Sequence, residues 1–404
     1  MNSWRLLWSA PHRLAFFLGS VNLMLLATWW VMVHAGTRWT TGLPSVPPHS
    51  VHALLLSGGF MPLFIAGFVF TTLPRWLAIH PVSMGRLVPG ICAMAVGWWG
   101  ALVALMWPSP PTTAPAGGFT AAVGVVLLGW LSLAWHHGRA AWRSKAPDQG
   151  HTWLILVAWL AGAGGLAMAM LEPWWPGQGC LQAGVMLILW ACLAPIFLTA
   201  LHRMIPYLSM WPWSWPARQH PHALLWLVLP ALAMHAGQRV MAALSVEPWR
   251  AWQMLHTGST LVAGLTLVGM ACRWRRVQNL QQRMLSMLCL GCFWMGLALW
   301  LSLAQDGRPA HHAMALGAMG SLMLAMVTRV SCTHGGQPVV ADQWVWWSFL
   351  SLQLVVVLRL AAGWMSALLA TPLMQIALMA WSLIMIGWAW RLMGWSLRAR
   401  HPAR

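Results

Sequence analysis

Twelve long apolar runs divide the chain, at roughly 14–34, 50–73, 88–107, 119–135, 152–171, 180–202, 222–243, 251–271, 284–304, 311–329, 344–365 and 372–394. Each is close to the roughly 20 residues a helix needs to cross a bilayer core. Strands of a membrane barrel alternate apolar and polar residues. These runs are continuous instead, and only a helix carries such a run through lipid with its backbone satisfied. The pattern therefore predicts an all-α polytopic bundle of about twelve transmembrane helices. The breaks carry turn residues, among them Pro47-Pro48, Pro108 to Pro115, Pro173 to Gly179 and Gly335 to Pro338.

Composition agrees with this reading. Of 404 residues, 59% are hydrophobic and 7% charged, against about 25% charged in soluble domains. No linker is long enough to separate a soluble domain, so residues 1–404 read as one integral membrane domain. The first run is too long for a signal peptide and lacks a small-x-small cleavage site, so it reads as the first span. The net charge of +18 does not point to nucleic acid, because the basic residues are spread thinly over short loops. With twelve spans, eighteen Lys and Arg fall on the side of the termini and three, Arg38, Arg250 and Arg308, on the other. Positive residues mark the cytoplasm, which predicts that both termini are cytoplasmic. Glu172, Glu247 and Asp306 then lie outside. Only Cys180 falls in an outer loop, which argues against a disulfide framework.

No Asp or Glu lies within a proposed span, which weighs against proton-coupled transport. Histidine carries more information. Ten of the 17 lie near the cytoplasmic surface, where a titratable imidazole needs no special role. The others gather toward the outer side: His34, His49, His52, His235, His256, His311 and His312. His52, His235, His256 and His312 come from four different helices at similar depth. Neutral imidazole is the commonest transition-metal ligand and a common axial ligand of haem iron. The alternative for His49, His52, His311 and His312 is an interfacial position wetted by headgroups. Arg239 shares a helix face with His235, and Arg359 lies in the outer third of the eleventh span. Each either snorkels to the interface or meets an anion from outside the sequence, such as a haem propionate.

Weaker features invite blander readings. Cys289 and Cys292 share a helix face and suit Cu(I), but also simple packing. Met314, Met319, Met323 and Met326 read as packing. Ala313, Gly317 and Ser321 form a small-residue face that admits a neighbouring helix or a flat cofactor. Gly58, Gly59 and Pro62 predict a loosened or kinked second span. Thr71 with Arg75, Thr199 with Arg203, and Thr328 with Arg329 close the second, sixth and tenth spans. That spacing suggests three four-helix units, or only the collection of basic residues at cytoplasmic exits.

Four stretches carry a family resemblance. They are Arg13-Leu-Ala-Phe-Phe-Leu-Gly19; Val51-His-Ala-Leu54 followed by Ala66-Gly-Phe-Val-Phe-Thr-Thr-Leu-Pro-Arg-Trp76; His202-Arg-Met-Ile-Pro-Tyr207; and His312-Ala-Met-Ala-Leu-Gly-Ala-Met-Gly320 running into Thr328-Arg-Val-Ser-Cys-Thr-His-Gly-Gly336. In these the chain resembles the NnrS family of bacterial twelve-helix membrane proteins, over nearly its whole length. The resemblance implies a multi-pass protein of the bacterial inner membrane, associated with haem and copper and with the response to nitric oxide and nitrosative stress. It maps family histidines onto His52, His312 and His334. Where the family's second helix usually reads Trp-His-x-His-Glu-Met, this chain has Leu54 and Leu55 at the second His and the Glu. A leucine cannot ligate a metal, so the resemblance favours haem over copper.

The residues then expected to hold a cofactor are His52, His312, His235, His256, Arg239 and Arg359, with His52, His312 and His256 as metal ligands. Arg203, Arg329 and His334 form a second candidate group on the cytoplasmic side, for an anion or a second cofactor; the plain alternative is a basic rim. The expected partners are the lipid bilayer and a small ligand such as nitric oxide, with an unspecified redox partner. Two rival functions stay open. One is a membrane oxidoreductase acting on nitric oxide or a related species; the other is a carboxylate-free small-solute transporter.

Overall fold

The computed structural model describes residues 3–36, 46–106, 117–205, 222–277, 281–304, 307–335 and 340–398. The Pro108–Pro115 break, Pro206, Tyr207, Arg38, His220, Asp306, Gly336–Pro338 and His401 lie outside the described residues. After a short helix at Ser3–Leu7, 12 helices are long and apolar enough to cross a membrane: α1 (Pro11–His34), α2 (Pro48–Leu77), α3 (Met84–Met106), α4 (Gly117–Arg143), α5 (Gly150–Leu171), α6 (Cys180–Met204), α7 (Ala223–Ala243), α8 (Arg250–Arg276), α9 (Arg283–Leu301), α10 (Arg308–His334), α11 (Gln343–Ala361) and α12 (Ala367–Ser396). No described residue lies in a strand. The chain is a multi-pass membrane protein.

Helix starts follow local chemistry. Proline, whose missing N–H is harmless in a first turn, opens α1 at Pro11 and α2 at Pro48. Asp342 caps α11 by accepting the Val345 N–H at 3.0 Å. Several helices outrun their apolar runs: α4 continues to Arg143, and α12 begins at Ala367 with Pro372 inside it. Cys180, expected in a loop, is the buried first residue of α6. Arg13 donates to the carbonyls of Ser396 at 3.0 Å and Arg398 at 2.8 Å. The two chain ends therefore meet on one face, the termini face; the other is the far face.

Three helices are inner and nine outer. The apolar stretches of α2, α6 and α10 are 89%, 83% and 83% buried, whereas those of the other nine are 28–56% buried. The inner three contact one another, and α12 packs on α1 to close the outer ring there. They are also the helices that end in the Thr–Arg periodicity. All three are irregular within their spans. Helix α2 breaks between Gly58 and Met61, as Gly58, Gly59 and Pro62 predict. Leu63 N–H turns to the Phe60 carbonyl, releasing the Gly59 carbonyl. The buried Asn22 of α1 donates to that carbonyl at 2.7 Å and accepts from Trp99 Nε1 at 2.7 Å. Helices α6 and α10 instead contain π-turns, Leu187–Leu193 and Ala313–Met319. Such turns recur at functional sites.

The weaker sequence features resolve into packing. Cys289 and Cys292 are buried, their thiols directed at the Ala271 and Leu267 carbonyls of α8. Met323 and Met326 line a small apolar cavity with Phe64, Phe68, Ile196 and Phe197, between the three inner helices. At the small face of α10, a Cβ on Gly317 would lie 2.7 Å from Trp294 Cγ, so the α9 indole occupies that face. The indole N–H donates to Gln353 Oε1 at 2.7 Å, and Gln353 Nε2 donates to Ser321 Oγ at 3.0 Å.

Candidate functional site

Four histidines from separate helices fall into two pairs in the far half. In the first, His52 sits on the outer piece of α2, seven residues before Gly59, and His312 sits in the first turn of α10 just before its π-turn. His52 lies within electrostatic reach of His312, His34, Arg359 and His49, and His312 within reach of Arg359. The Trp30 indole of α1 stacks on the His52 ring at 3.9 Å and meets His34 edge-on at 4.2 Å. His52 Nδ1 is buried without a hydrogen-bond partner. His312 Nδ1 lies 2.9 Å from the Arg308 carbonyl. A carbonyl only accepts, so in the neutral ring the proton is on Nδ1 and Nε2 keeps its lone pair. Metal-binding histidines commonly have their second nitrogen held in this way.

In the second pair, His235 of α7 bonds through Nδ1 to His256 Nε2 of α8 at 3.0 Å. His235 is fully buried, its Nε2 has no hydrogen-bond partner, and its ring meets Trp190, in the α6 π-turn, at 4.3 Å. Arg239 and His311 lie within electrostatic reach of His235. Trp190 also faces His311, with ring centres 6.1 Å apart. The adjacent residues His311 and His312 thus join the pairs. The Arg239 guanidinium packs on Gly307 at the start of α10, where an added Cβ would lie 2.6 Å from Nη2.

The termini face departs further from the sequence reading. Four of the histidines placed at the surface, His12, His137, His151 and His202, are buried. The three residues of the second candidate group have different immediate neighbours. His334 meets His12 with ring centres 4.6 Å apart and planes tilted by 48°, Arg329 is exposed, and Arg203 pairs with Asp148.

Arg203 Nη1 lies 2.8 Å from Asp148 Oδ2, and Asp148 joins a cluster that sequence reasoning missed. His151 lies in the first turn of α5, His202 near the end of α6 and His222 just before the start of α7. One ligand nitrogen from each lies within 4.8 Å of the others, so the cluster can hold a metal ion. His151 Nε2 is 2.9 Å from His202 Nδ1. Asp148 stands 3.5 Å from His222 Nε2 and 3.9 Å from His151 Nδ1. Burial alone would raise the Asp148 carboxyl. The Gly150 N–H and the charges of His151, His222 and Arg203 outweigh that and hold it below its ordinary range. The available signal was the closeness of His151, His202 and His222 to three helix ends on one face.

Among curated proteins none matches the chain. The family model described as NnrS protein matches residues 6–400. That span takes in the inner helices, both far-face histidine pairs and the histidine cluster of the termini face, and the chain belongs to the NnrS family.

Proposed function

We propose that this NnrS-type membrane protein binds haem in its far half and serves in the bacterial response to nitric oxide and nitrosative stress. The observation that carries the reading is His312. Its Nδ1 is held by the Arg308 carbonyl at 2.9 Å, leaving Nε2 as donor atom in a helix that also brings it toward His52. The donor set fits haem on a second count, the buried Nδ1 of His52 and Nε2 of His235, which have no hydrogen-bond partner. His52 and His312 would hold the iron, and Arg359 beside both supplies the cation for a propionate. Haem would contribute an iron that binds diatomic ligands and passes single electrons. The surrounding indoles of Trp30 and Trp190 keep water from the imidazoles. Copper is the weaker expectation, because Leu54 and Leu55 offer no donor.

In this reading the far face is periplasmic, both termini are cytoplasmic, and the membrane is the bacterial inner membrane. Reporter fusions at the C-terminus test the orientation. The absorption spectrum of purified protein, oxidised and reduced, tests the cofactor. A Soret band lost in His312→Ala and in His52→Ala is the expected result. Spectra unchanged by Ala at His52, His235, His256 and His312 overturn it. A second reading, a membrane oxidoreductase acting on nitric oxide, draws on the His235–His256 pair lying so close to the first through His311–His312. Steady consumption of nitric oxide by reduced protein distinguishes it from binding alone.

A further inference from the structure

We propose that His151, His202 and His222 form a binding site for one Zn(II) ion at the end of the bundle opposite the proposed haem.

Three features point to an ion. The first is the donor set: three imidazoles from three different helix ends, with ligand nitrogens within 4.8 Å of one another. Imidazole suits zinc and copper, whereas magnesium and calcium take oxygen. Nitrogens bound tetrahedrally at about 2.0–2.1 Å from an ion lie about 3.3 Å apart. The site therefore needs to close by about 1.5 Å at most, within reach of side-chain rotation. The second feature is the buried nitrogen without a partner. His151 is 5% exposed and its Nδ1 has no hydrogen bond; Nδ1 of the half-buried His222 has none either. Buried polar atoms are normally satisfied, so each such atom calls for a ligand. The third is Asp148. One of its oxygens lies 3.5 Å from His222 Nε2, the ring nitrogen opposite the unsatisfied Nδ1, where a carboxylate orients a ligating imidazole and offsets the charge of an ion. Arg203, 2.8 Å from the same carboxylate, fixes it in place. Asp148 and Arg203 are positioning residues here.

The ion would tie the start of α5, the end of α6 and the start of α7 together. Its role is that of a clasp on an inner helix, α6, and on α7, which carries His235 at its other end. Three protein nitrogens leave a fourth position open for water or another small ligand.

Purified protein in detergent is stripped with a chelator and then titrated with Zn(II) or Cu(II), with Mg(II) as control. The proposal expects one Zn(II) per chain by metal analysis, a raised unfolding temperature with Zn(II) and none with Mg(II), and a Cu(II) paramagnetic resonance spectrum with nitrogen couplings from three imidazoles. His222→Gln, at the least buried ligand, is expected to lower Zn(II) affinity at least tenfold while the absorption spectrum of the haem stays unchanged. His80→Gln, at an exposed histidine outside both sites, is expected to leave Zn(II) affinity unchanged. Loss of the Soret band with the Zn(II) stoichiometry intact would strike the haem reading alone. Absence of a stoichiometric ion in the wild type, or equal affinity in wild type, His222→Gln and His151→Gln, overturns the site.

Discussion

Asn22→Ala removes the clamp on the broken inner helix, and its effect can be worked from the contacts. The Asn22 side chain is 1% exposed and makes two hydrogen bonds, to the Gly59 carbonyl and from the Trp99 indole, both of 2.7 Å. An interhelical hydrogen bond in a membrane protein averages only about 0.6 kcal/mol, because the chain finds other partners in the bilayer. Two such bonds would contribute about 1.2 kcal/mol. Here the Gly59 carbonyl has nowhere to turn. Leu63 N–H, the Gly59 carbonyl's normal helical donor, is bonded to Phe60, and Leu26 Cδ1 fills the space beside Gly59. A buried polar group left unsatisfied costs about 1–3 kcal/mol. With the carbonyl left unsatisfied and the part-exposed indole losing about 0.6 kcal/mol of bonding, Asn22→Ala is expected to destabilise the protein by about 2–4 kcal/mol. The lower bound is about a 30-fold change in the unfolding equilibrium. Reversible unfolding in mixed micelles measures this. Haem content per chain is expected to fall with it, because His52 rides on the piece of α2 beyond the break. A loss no greater than about 0.6 kcal/mol would refute the claim that the break depends on Asn22.

Other predictions follow from single contacts. In Gly317→Ala the new methyl would meet Trp294 at 2.7 Å, and the indole is tethered to Gln353, so about 1–3 kcal/mol of stability should be lost; an unchanged melting temperature would show that the indole retreats freely. Asp342 sits between α10 and α11, and its hydrogen bond from Arg391 is the main reason its carboxyl is held below the ordinary value. Its folded-state pKa is depressed, so its contribution is present above the unfolded value near 3.8 and is lost as pH falls through the lower folded value. Asp342→Asn keeps a capping side chain but weakens the pair, and because both partners are part-exposed the loss should stay under about 1 kcal/mol at pH 7. The gap between variant and wild type should begin to narrow below pH 3.8 and close only below the lower folded value; a gap that does not narrow as pH falls would assign the effect to something other than charge.

What was legible in the chain follows from what hydropathy measures. Twelve spans were visible because apolar runs of that length have one solution in lipid. The break in α2 was visible because Gly58, Gly59 and Pro62 declare it. The π-turn of α6 was not: Leu187–Leu193 contains neither Gly nor Pro, and the one local sign is Pro195 just after it, which has no N–H to offer the Ala191 carbonyl. The buried termini-face histidines were misplaced for a related reason. Apolar runs end before their helices do, so His137 fell beyond the fourth run and His151 just before the fifth. The helices carry both into contact with their neighbours, where His137 Nε2 donates to the Thr152 carbonyl at 2.9 Å. The far-face residues could be named from depth alone. Their division into two pairs, bridged by consecutive residues of α10, depends on how that helix is rotated, which one chain's periodicity does not reveal.

The wide turns in α6 and α10 carry one more implication. Each interposes about one additional residue per turn, and one residue corresponds to about 100° of rotation about a helix axis. Above and below such a turn the helix is therefore out of phase with itself. On α6, Leu181 before the turn and His202 after it can each be aimed at a different neighbour without a compromise between them. A one-residue deletion inside Leu187–Leu193 would bring the two ends back into phase, and only one of those two side chains could then keep its present partner.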